Sequence, residues 1–241
     1  MAAFREHVIF SSGLGVVYGV SAWYGLGFTP VQAALSAVMT GVAGMLPDLD
    51  LDHGRPAQEL FGLLAGVAPL LLVGRVLQWL HLPNDREMVM LGMVALYALI
   101  RYVLSRVIPY LSVHRGMFHS IPALLIAAEL AYLSYPTDVI RVKLLVAAGV
   151  ALGFFSHLLL DEIYSVELSG AKVGLKKSSG TAIKMFGEAF FPNVFTFALA
   201  GTLTYASLMD AGLIRDNSQE VVPVRRSVLQ QAEEPANEEL R

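Results

Sequence analysis

The sequence has 241 residues with a formal net charge of −3, 55% hydrophobic residues, 15% charged residues and a mean hydropathy of +0.58. Because soluble domains usually carry about 25% charged residues, this composition excludes an ordinary soluble protein and predicts an integral membrane protein. The absence of cysteine excludes disulfides, thiolate metal sites, iron–sulfur clusters and cysteine nucleophiles, and the scattered basic residues predict no nucleic-acid partner.

Seven apolar segments follow one another along the chain, and they predict an all-α fold, a polytopic membrane helical bundle. A membrane-spanning helix needs roughly 20 apolar residues. Because the second and fifth segments are shorter than this, the prediction is five to seven transmembrane helices. The segments run over Val8–Phe28, Val31–Leu46, Leu60–Leu82, Met88–Leu111, Ile121–Tyr135, Lys143–Ser165 and Phe190–Ile214.

The first segment follows a short polar stretch and is expected to be an uncleaved membrane helix. Within it, Gly15 and Gly19 form a GxxxG pattern, which predicts close approach of a second helix. Residues 1–214 are predicted to form one membrane-embedded domain. Residues 215–241 are charged and lack aromatic side chains, which predicts a disordered C-terminal tail.

Histidines and aspartates are concentrated at the ends of the apolar segments. If successive segments cross the bilayer in alternate directions, five of the six histidines are predicted to lie at the face where the first helix begins, here called face A. These polar residues are His7, Asp48, Asp50, Asp52, His53, His114, His119, His157 and Asp161. The remaining histidine, His81, is predicted to be an interface residue at the other face, face B.

The spacing at the end of the sixth segment is typical of paired ligands. His157 and Asp161 are four residues apart, so both side chains project from one side of a helix. Asp48 and Asp50 follow Pro47, and both can turn inward if the chain is extended there. The alternatives are an interhelical hydrogen bond for the first pair and a polar helix stop for the second.

The stretch HRGMFHS holds two more histidines. Gly116 permits a sharp turn between His114 and His119, and Ser120 is predicted to cap the following helix. The alternative for this stretch is an interfacial turn in which Arg115 contacts lipid phosphate. Mixed histidine and aspartate ligation without thiolate suits Zn²⁺, with Mn²⁺ or Fe²⁺ as alternatives, rather than Ca²⁺.

Four motifs, REHVIFSSGLGVVYG, GMLPDLD, HRGMFHS and LGFFSHLLLDE, occur in this order between Arg5 and Glu162. Together they resemble the YdjM-like family of bacterial inner-membrane proteins, which are described as metal-dependent hydrolases of phospholipase type. The resemblance implies a multi-pass protein of the bacterial inner membrane. It also implies a polar core formed by His7, Asp48, Asp50, His114, His119, His157 and Asp161. One departure is Phe118, where family members often have Thr. The stretch after Asp50 varies in the family, so the roles of Asp52 and His53 stay open.

The resulting hypothesis is a membrane-bound metal-dependent hydrolase that cleaves a lipid phosphoester by metal-activated water. A bound cation lowers the pKa of its water towards ~7, and Asp50 or His114 would accept a proton. Arg115 would stabilise charge that develops on phosphorus. The predicted partners are a membrane lipid as substrate and the surrounding bilayer, while the oligomeric state stays open.

Two other functions use the same polar residues. A transporter or metal-handling protein predicts ligands distributed over both membrane faces, whereas this chain gathers them at one. A di-iron oxidoreductase of the desaturase kind predicts about eight histidines in repeated boxes, which six histidines without such a box do not supply.

Three further features leave alternatives open. Glu129 lies at membrane depth and is either functional or, as favoured here, paired with Arg101. Four lysines of the loop after the sixth segment either attract anionic lipid or act as a positive-inside signal; they are Lys172, Lys176, Lys177 and Lys184. Because face A holds more basic residues than the short face B loops, the site is predicted to face the cytoplasm.

Overall fold

The computed structural model describes residues 4–50, 55–107, 117–169, 172–175, 183–187 and 189–214, and for residues 50, 55–57, 166–169 and 172–175 it describes the backbone alone. Within these residues, one α-helix covers each of the seven predicted apolar segments. The helices are α1 Phe4–Tyr24, α2 Pro30–Ala43, α3 Arg55–Trp79, α4 Arg86–Ala98, α5 Ile121–Ser134, α6 Ile140–Ile163 and α7 Phe190–Asp210. The helical fold class is therefore confirmed.

Three helices in the described part of the chain are long and apolar enough to cross a membrane. They cover Gln58–Trp79, Arg86–Val107 and Ile140–Ile163. The second of these includes α4 and the π-helix Leu99–Leu104 that continues it. Since α2 and α5 are shorter apolar helices, the count of five to seven transmembrane helices stays a prediction.

Local side-chain chemistry explains where several helices begin. Thr29 and Gln32 form a reciprocal capping box at the start of α2, which satisfies amide groups that the first helical turn leaves open. Asp85 caps α4. The predicted Ser120 cap is present at the start of α5, where its hydroxyl accepts a hydrogen bond from Ala123 N at 3.3 Å.

Glycines bring α1, α2 and α6 into close contact. A Cβ atom added at Gly15 of α1 would lie 2.4 Å from Ala37 O of α2, and one added at Gly153 of α6 would lie 2.0 Å from Thr40 O of α2. Because α1 also contacts α6, these three helices form the tightly packed centre of the bundle. The close approach predicted from the GxxxG pattern of α1 is confirmed.

The remaining helices surround this centre. Helix α5 packs on α6, α7 packs on α5, and α4 packs mainly on α3. The lysine-rich stretch, which was predicted to be a loop, contains a short antiparallel hairpin of β1 Val166–Ser169 and β2 Lys172–Leu175, with Val166 opposite Leu175. The hairpin follows α6 directly and therefore lies at face A.

Candidate metal centre

The structure brings together five of the predicted polar residues in one buried group at face A. We call it the metal-ligand cluster, and its members are His7, Asp48, His119, His157 and Asp161. They come from the start of α1, the 3₁₀ turn after α2, the residue before the cap of α5, and the end of α6. All five are buried, with exposed fractions from 1% for His157 to 7% for Asp48.

His157 lies at the centre of the cluster, and the backbone fixes its orientation. Its Nδ1 lies 2.8 Å from Gly44 O. Because a carbonyl oxygen can only accept a hydrogen bond, Nδ1 must carry the proton, and in a neutral imidazole Nε2 then holds the lone pair. A second group that orients a ligating histidine in this way is a common feature of metal sites.

The lone pair of His157 faces two carboxylates. Its Nε2 lies 3.5 Å from Asp48 Oδ1 and 3.8 Å from Asp161 Oδ2. Asp161 is one helical turn beyond His157 on α6, as the spacing of four residues predicted. Asp48 reaches the same point because the 3₁₀ turn Leu46–Asp50 bends the chain back at Pro47 towards the end of α6.

The other two imidazoles lie on either side of His157. The His7 ring stacks on the His157 ring, with centroids 3.7 Å apart and planes 11° apart, and His7 Nε2 lies 3.3 Å from Asp161 Oδ1. The His119 ring meets His157 edge-on at 5.5 Å. Its Nε2 lies 3.9 Å from both Asp48 Oδ1 and Asp161 Oδ2.

These groups fit a divalent cation. Two sets of three ligand atoms have all members within 4.8 Å of one another, and both sets contain His157; they are His7, His157 and Asp161, and Asp48, His119 and His157. His157 Nε2 is buried and makes no hydrogen bond to any described residue. An imidazole lone pair that faces carboxylate oxygens is repulsive unless a cation or a proton lies between them. The buried histidines and aspartates of this cluster could therefore hold a metal ion.

Four other predicted site residues lie outside the part of the chain that the structure describes. They are Asp52, His53, His114 and Arg115. For Asp50 the backbone lies in the 3₁₀ turn after α2, but its side chain is also outside the described part. The exposed His81 follows α3 at face B, away from the cluster.

The sequence offered no direct signal for the backbone group that orients His157. Gly44 caps α2, and a Cβ atom added there would lie 2.2 Å from Ser11 Cβ of α1. Only glycine allows α1 to pass this close while the carbonyl still points at His157. Since nothing in the sequence reports on a carbonyl direction, a Gly before a Pro-Asp turn could at most have suggested close packing.

The comparison with known protein families agrees with the resemblance that the four sequence motifs indicated. The family model of the YdjM inner membrane protein matches residues 1–173, which is more than half of the chain. The chain belongs to the YdjM inner membrane protein family. No curated protein and no solved structure matches it. Together with the three membrane-length helices, membership of the YdjM family supports a location in the inner membrane.

The family match covers the whole metal-ligand cluster, from His7 to Asp161, and ends within the β-hairpin. Helix α7, Phe190–Asp210, lies beyond it. The resemblance to the YdjM family predicted from the four motifs is therefore confirmed over α1 to α6.

Proposed function

We propose that the protein is a multi-pass, membrane-bound metal-dependent hydrolase that cleaves a phosphoester of a membrane lipid. The observation that carries this proposal is the single buried point towards which the His157 lone pair and the carboxylates of Asp48 and Asp161 converge. Burying such groups costs a few kcal/mol each when they are unpaired, so a cation that binds all of them offsets that cost.

The chain offers ligands that suit Zn²⁺, with Mn²⁺ or Fe²⁺ as alternatives. His7, His119 and His157 supply nitrogen, and Asp48 and Asp161 supply oxygen. When bound, such a cation supplies Lewis acidity that activates water and polarises a phosphoryl oxygen. Because both ligand sets share His157 Nε2, which has one lone pair, the described ligands serve about one ion per chain.

The protein side chains have separate roles in this proposal. Gly44 O holds the His157 ring in one orientation, and the stacked His7 ring restricts its rotation. Asp50 or His114 remains the proposed proton acceptor, and Arg115 the proposed clamp for the phosphoryl group. These three assignments rest on their position in the motifs, next to Asp48 and His119.

A lipid substrate is supported by the surroundings of the cluster. Apolar side chains flank its members along the chain: Leu49 follows Asp48, Phe118 precedes His119 and Val8 follows His7. These three side chains pack in one apolar cluster with Leu60 and Phe61 of α3 and with residues of the π-helix. A polar site beside an apolar wall at a bilayer face suits a molecule with a charged headgroup and acyl chains.

The first experiment measures metal content. The full-length protein, purified in detergent without chelators, is compared by elemental analysis with His157→Gln and with the matched control His81→Gln. We expect about one equivalent of zinc, manganese or iron in the wild type and in the control, because His81 is exposed at face B. We expect loss of the metal in His157→Gln, with circular dichroism showing that the helices are retained. A folded wild type without metal would contradict the proposal.

The second experiment tests the reaction. The same three proteins are incubated with vesicles of phosphatidylethanolamine and phosphatidylglycerol, and mass spectrometry measures released headgroups and released fatty acids separately. Metal-dependent release of a phosphorylated or free headgroup by the wild type and His81→Gln supports phosphoester cleavage. Release of fatty acid alone would show that the protein cleaves the carboxyl ester and not the phosphoester. Bound metal without any product would favour a transporter or metal-handling protein.

A further inference from the structure

A second group of ionisable residues lies at face B, on the opposite side of the bundle. We call it the opposite-face cluster, and its members are Arg75 of α3, Tyr132 of α5, Lys143 of α6 and Asp210 of α7. Lys143 Nζ lies 2.5 Å from Asp210 Oδ2 and 5.3 Å from the centroid of the Tyr132 ring. Arg75 Nη2 lies 3.9 Å from Asp210 Oδ1. One residue from each of four helices therefore meets here.

The cluster has more positive than negative charge. Lys143 and Arg75 share the single carboxylate of Asp210, and the Lys143 side chain is only 3% exposed. Glu129 lies one helical turn from Tyr132, but it contacts the hydroxyl of Thr204 and is not within ion-pair distance of either cation. One carboxylate therefore faces two cations, and a second anion would compensate the remaining positive charge.

Two hydrogen-bonding groups near this carboxylate are buried and unused. Arg75 Nε and the Ser207 hydroxyl make no hydrogen bond to any residue that the structure describes. Ser207 lies one turn before Asp210 on α7, on the same side of that helix. Buried donors are usually satisfied, so this set of donors beside an excess cation indicates that a further acceptor, an anion, binds here.

The position along the helices matches the depth of lipid headgroups. Trp79 is one turn beyond Arg75 on α3 and is 64% exposed, and Trp23 and Tyr24 end α1 at the same face. Exposed Trp and Tyr are typical of the membrane–water interface. The Arg75 and Asp210 side chains are 18% and 25% exposed, so the cluster is partly accessible from outside the bundle.

We propose that the opposite-face cluster binds a phosphate group, carried either by an anionic lipid of the surrounding leaflet or by free phosphate. The Arg75 guanidinium would donate to two phosphate oxygens in its fork geometry, and Lys143 would donate from the buried side. Basic pockets between membrane helices are known to bind lipid headgroups in this way. This site is separate from the metal-ligand cluster and does not depend on the proposed hydrolase activity.

The test measures thermal unfolding of the full-length protein, purified without chelators, in a neutral detergent. Separate samples receive phosphatidylglycerol, phosphatidylcholine or inorganic phosphate. We expect phosphatidylglycerol to raise Tm of the wild type by roughly 5 °C and phosphatidylcholine to have a smaller effect. Arg75→Gln should lose this rise. Arg86→Gln removes the same charge from an exposed position at face B and should keep it. A rise with inorganic phosphate that also depends on Arg75 would identify free phosphate as the occupant.

Asp210→Asn separates a binding site from a structural ion pair. It removes the carboxylate that competes for the two cations, so we expect a lower Tm without ligand and a larger rise with phosphatidylglycerol than in the wild type. A purely structural pair predicts the lower Tm without the larger rise, and that result would overturn the proposal. An equal rise in the wild type, Arg75→Gln and Arg86→Gln, or no rise in any of them, would also overturn it.

Discussion

The two ends of the bundle carry clusters with opposite charge imbalances. The five members of the metal-ligand cluster include two carboxylates and no permanently charged cation, whereas the opposite-face cluster has two cations and one carboxylate. Burying an uncompensated charge costs several kcal/mol. The balance of charge in a buried cluster therefore indicates the sign of a ligand that would complete it, and it supports the two proposals, a cation at face A and an anion at face B.

The clusters also differ in how the fold holds them. Close to face A, α2 approaches α1 and α6 so tightly that a Cβ atom added at Gly44 or Gly153 would lie 2.2 Å or 2.0 Å from its nearest neighbour, and short side chains meet at fixed distances. At face B long side chains reach a common point from four helices, and two of them are partly exposed. Rigid packing suits the strict geometry that a metal requires, whereas a headgroup that exchanges with the bilayer tolerates a looser site.

The largest effect is expected where the backbones of α2 and α6 touch. Gly153→Ala would place a Cβ atom 2.0 Å from Thr40 O, so the two helices would have to separate, and we expect a loss of about 3 kcal/mol in the free energy of unfolding. Because α2 leads to Gly44 and Asp48, metal content should also fall. The measurements are unfolding in SDS followed by circular dichroism, and elemental analysis.

Gly201→Ala is the matched control, since a Cβ atom at this position of α7 meets nothing within 4 Å. It should be neutral or slightly stabilising, because alanine favours helix over glycine by about 1 kcal/mol. If the two variants were equally stable and both kept their metal, close packing of α2 on α6 would not be what holds the metal-ligand cluster.

The sequence predicted the helices well because their physical signal is strong. Long apolar runs have one stable arrangement in lipid, and the predicted segments agree with the observed helices to within a few residues. The contact of α2 with α6 was not predicted, because Gly149 and Gly153 lie in an apolar run where a GxxxG spacing occurs by chance. The hairpin after α6 was also missed, since its strands have only four residues each.

The two clusters were not equally predictable. The residues at face A occur in short motifs with informative spacing, such as His157 and Asp161, and five of them meet in the structure. The residues at face B are single charges near helix ends, and Lys143 and Asp210 are separated by 67 positions. Each of these charges resembles an ordinary flanking residue, so only the folded chain reveals that they share one site.

A smaller effect is expected when the opposite-face cluster loses its carboxylate. Asp210→Leu leaves the buried Lys143 without its partner, and we expect a loss of about 2 kcal/mol in the free energy of unfolding. Lys143→Met leaves Asp210, which is 25% exposed and still within reach of Arg75, so the loss should be about 1 kcal/mol. Both values refer to a neutral detergent without anionic lipid, measured by SDS unfolding.

Comparing the stability losses of Asp210→Leu and Lys143→Met tests whether the opposite-face cluster has an excess of positive charge. A cluster that is rich in cations suffers more when it loses its only carboxylate than when it loses one of two cations. Lys143→Met could instead cause the larger loss in the free energy of unfolding. Asp210, and not Lys143, would then be the charge that the ion pair mainly stabilises. The contrast between the two faces of the bundle would then no longer hold.

The smallest effect is expected at Glu129, which lies between the two clusters. Its predicted pairing with Arg101 is wrong: Glu129 Oε1 lies 2.5 Å from Thr204 Oγ1, and among the described residues no ion pair joins Glu129 to Arg101. Thr204 Oγ1 also lies 2.9 Å from Ala200 O, and a hydroxyl has one proton to donate. The Thr204 hydroxyl can therefore donate to only one of these two oxygens at a time, and its contact with Glu129 joins α7 to α5.

Glu129 therefore joins two helices through a hydroxyl contact, unlike the carboxylates of the two clusters. Glutamine keeps a side-chain oxygen that can accept the same hydrogen bond, so Glu129→Gln should change the free energy of unfolding by less than about 0.5 kcal/mol. Glu129→Leu, which cannot accept it, should cost about 1 kcal/mol. A loss of about 2 kcal/mol in Glu129→Gln, measured by SDS unfolding, would instead show that the contact between α5 and α7 depends on a charged carboxylate.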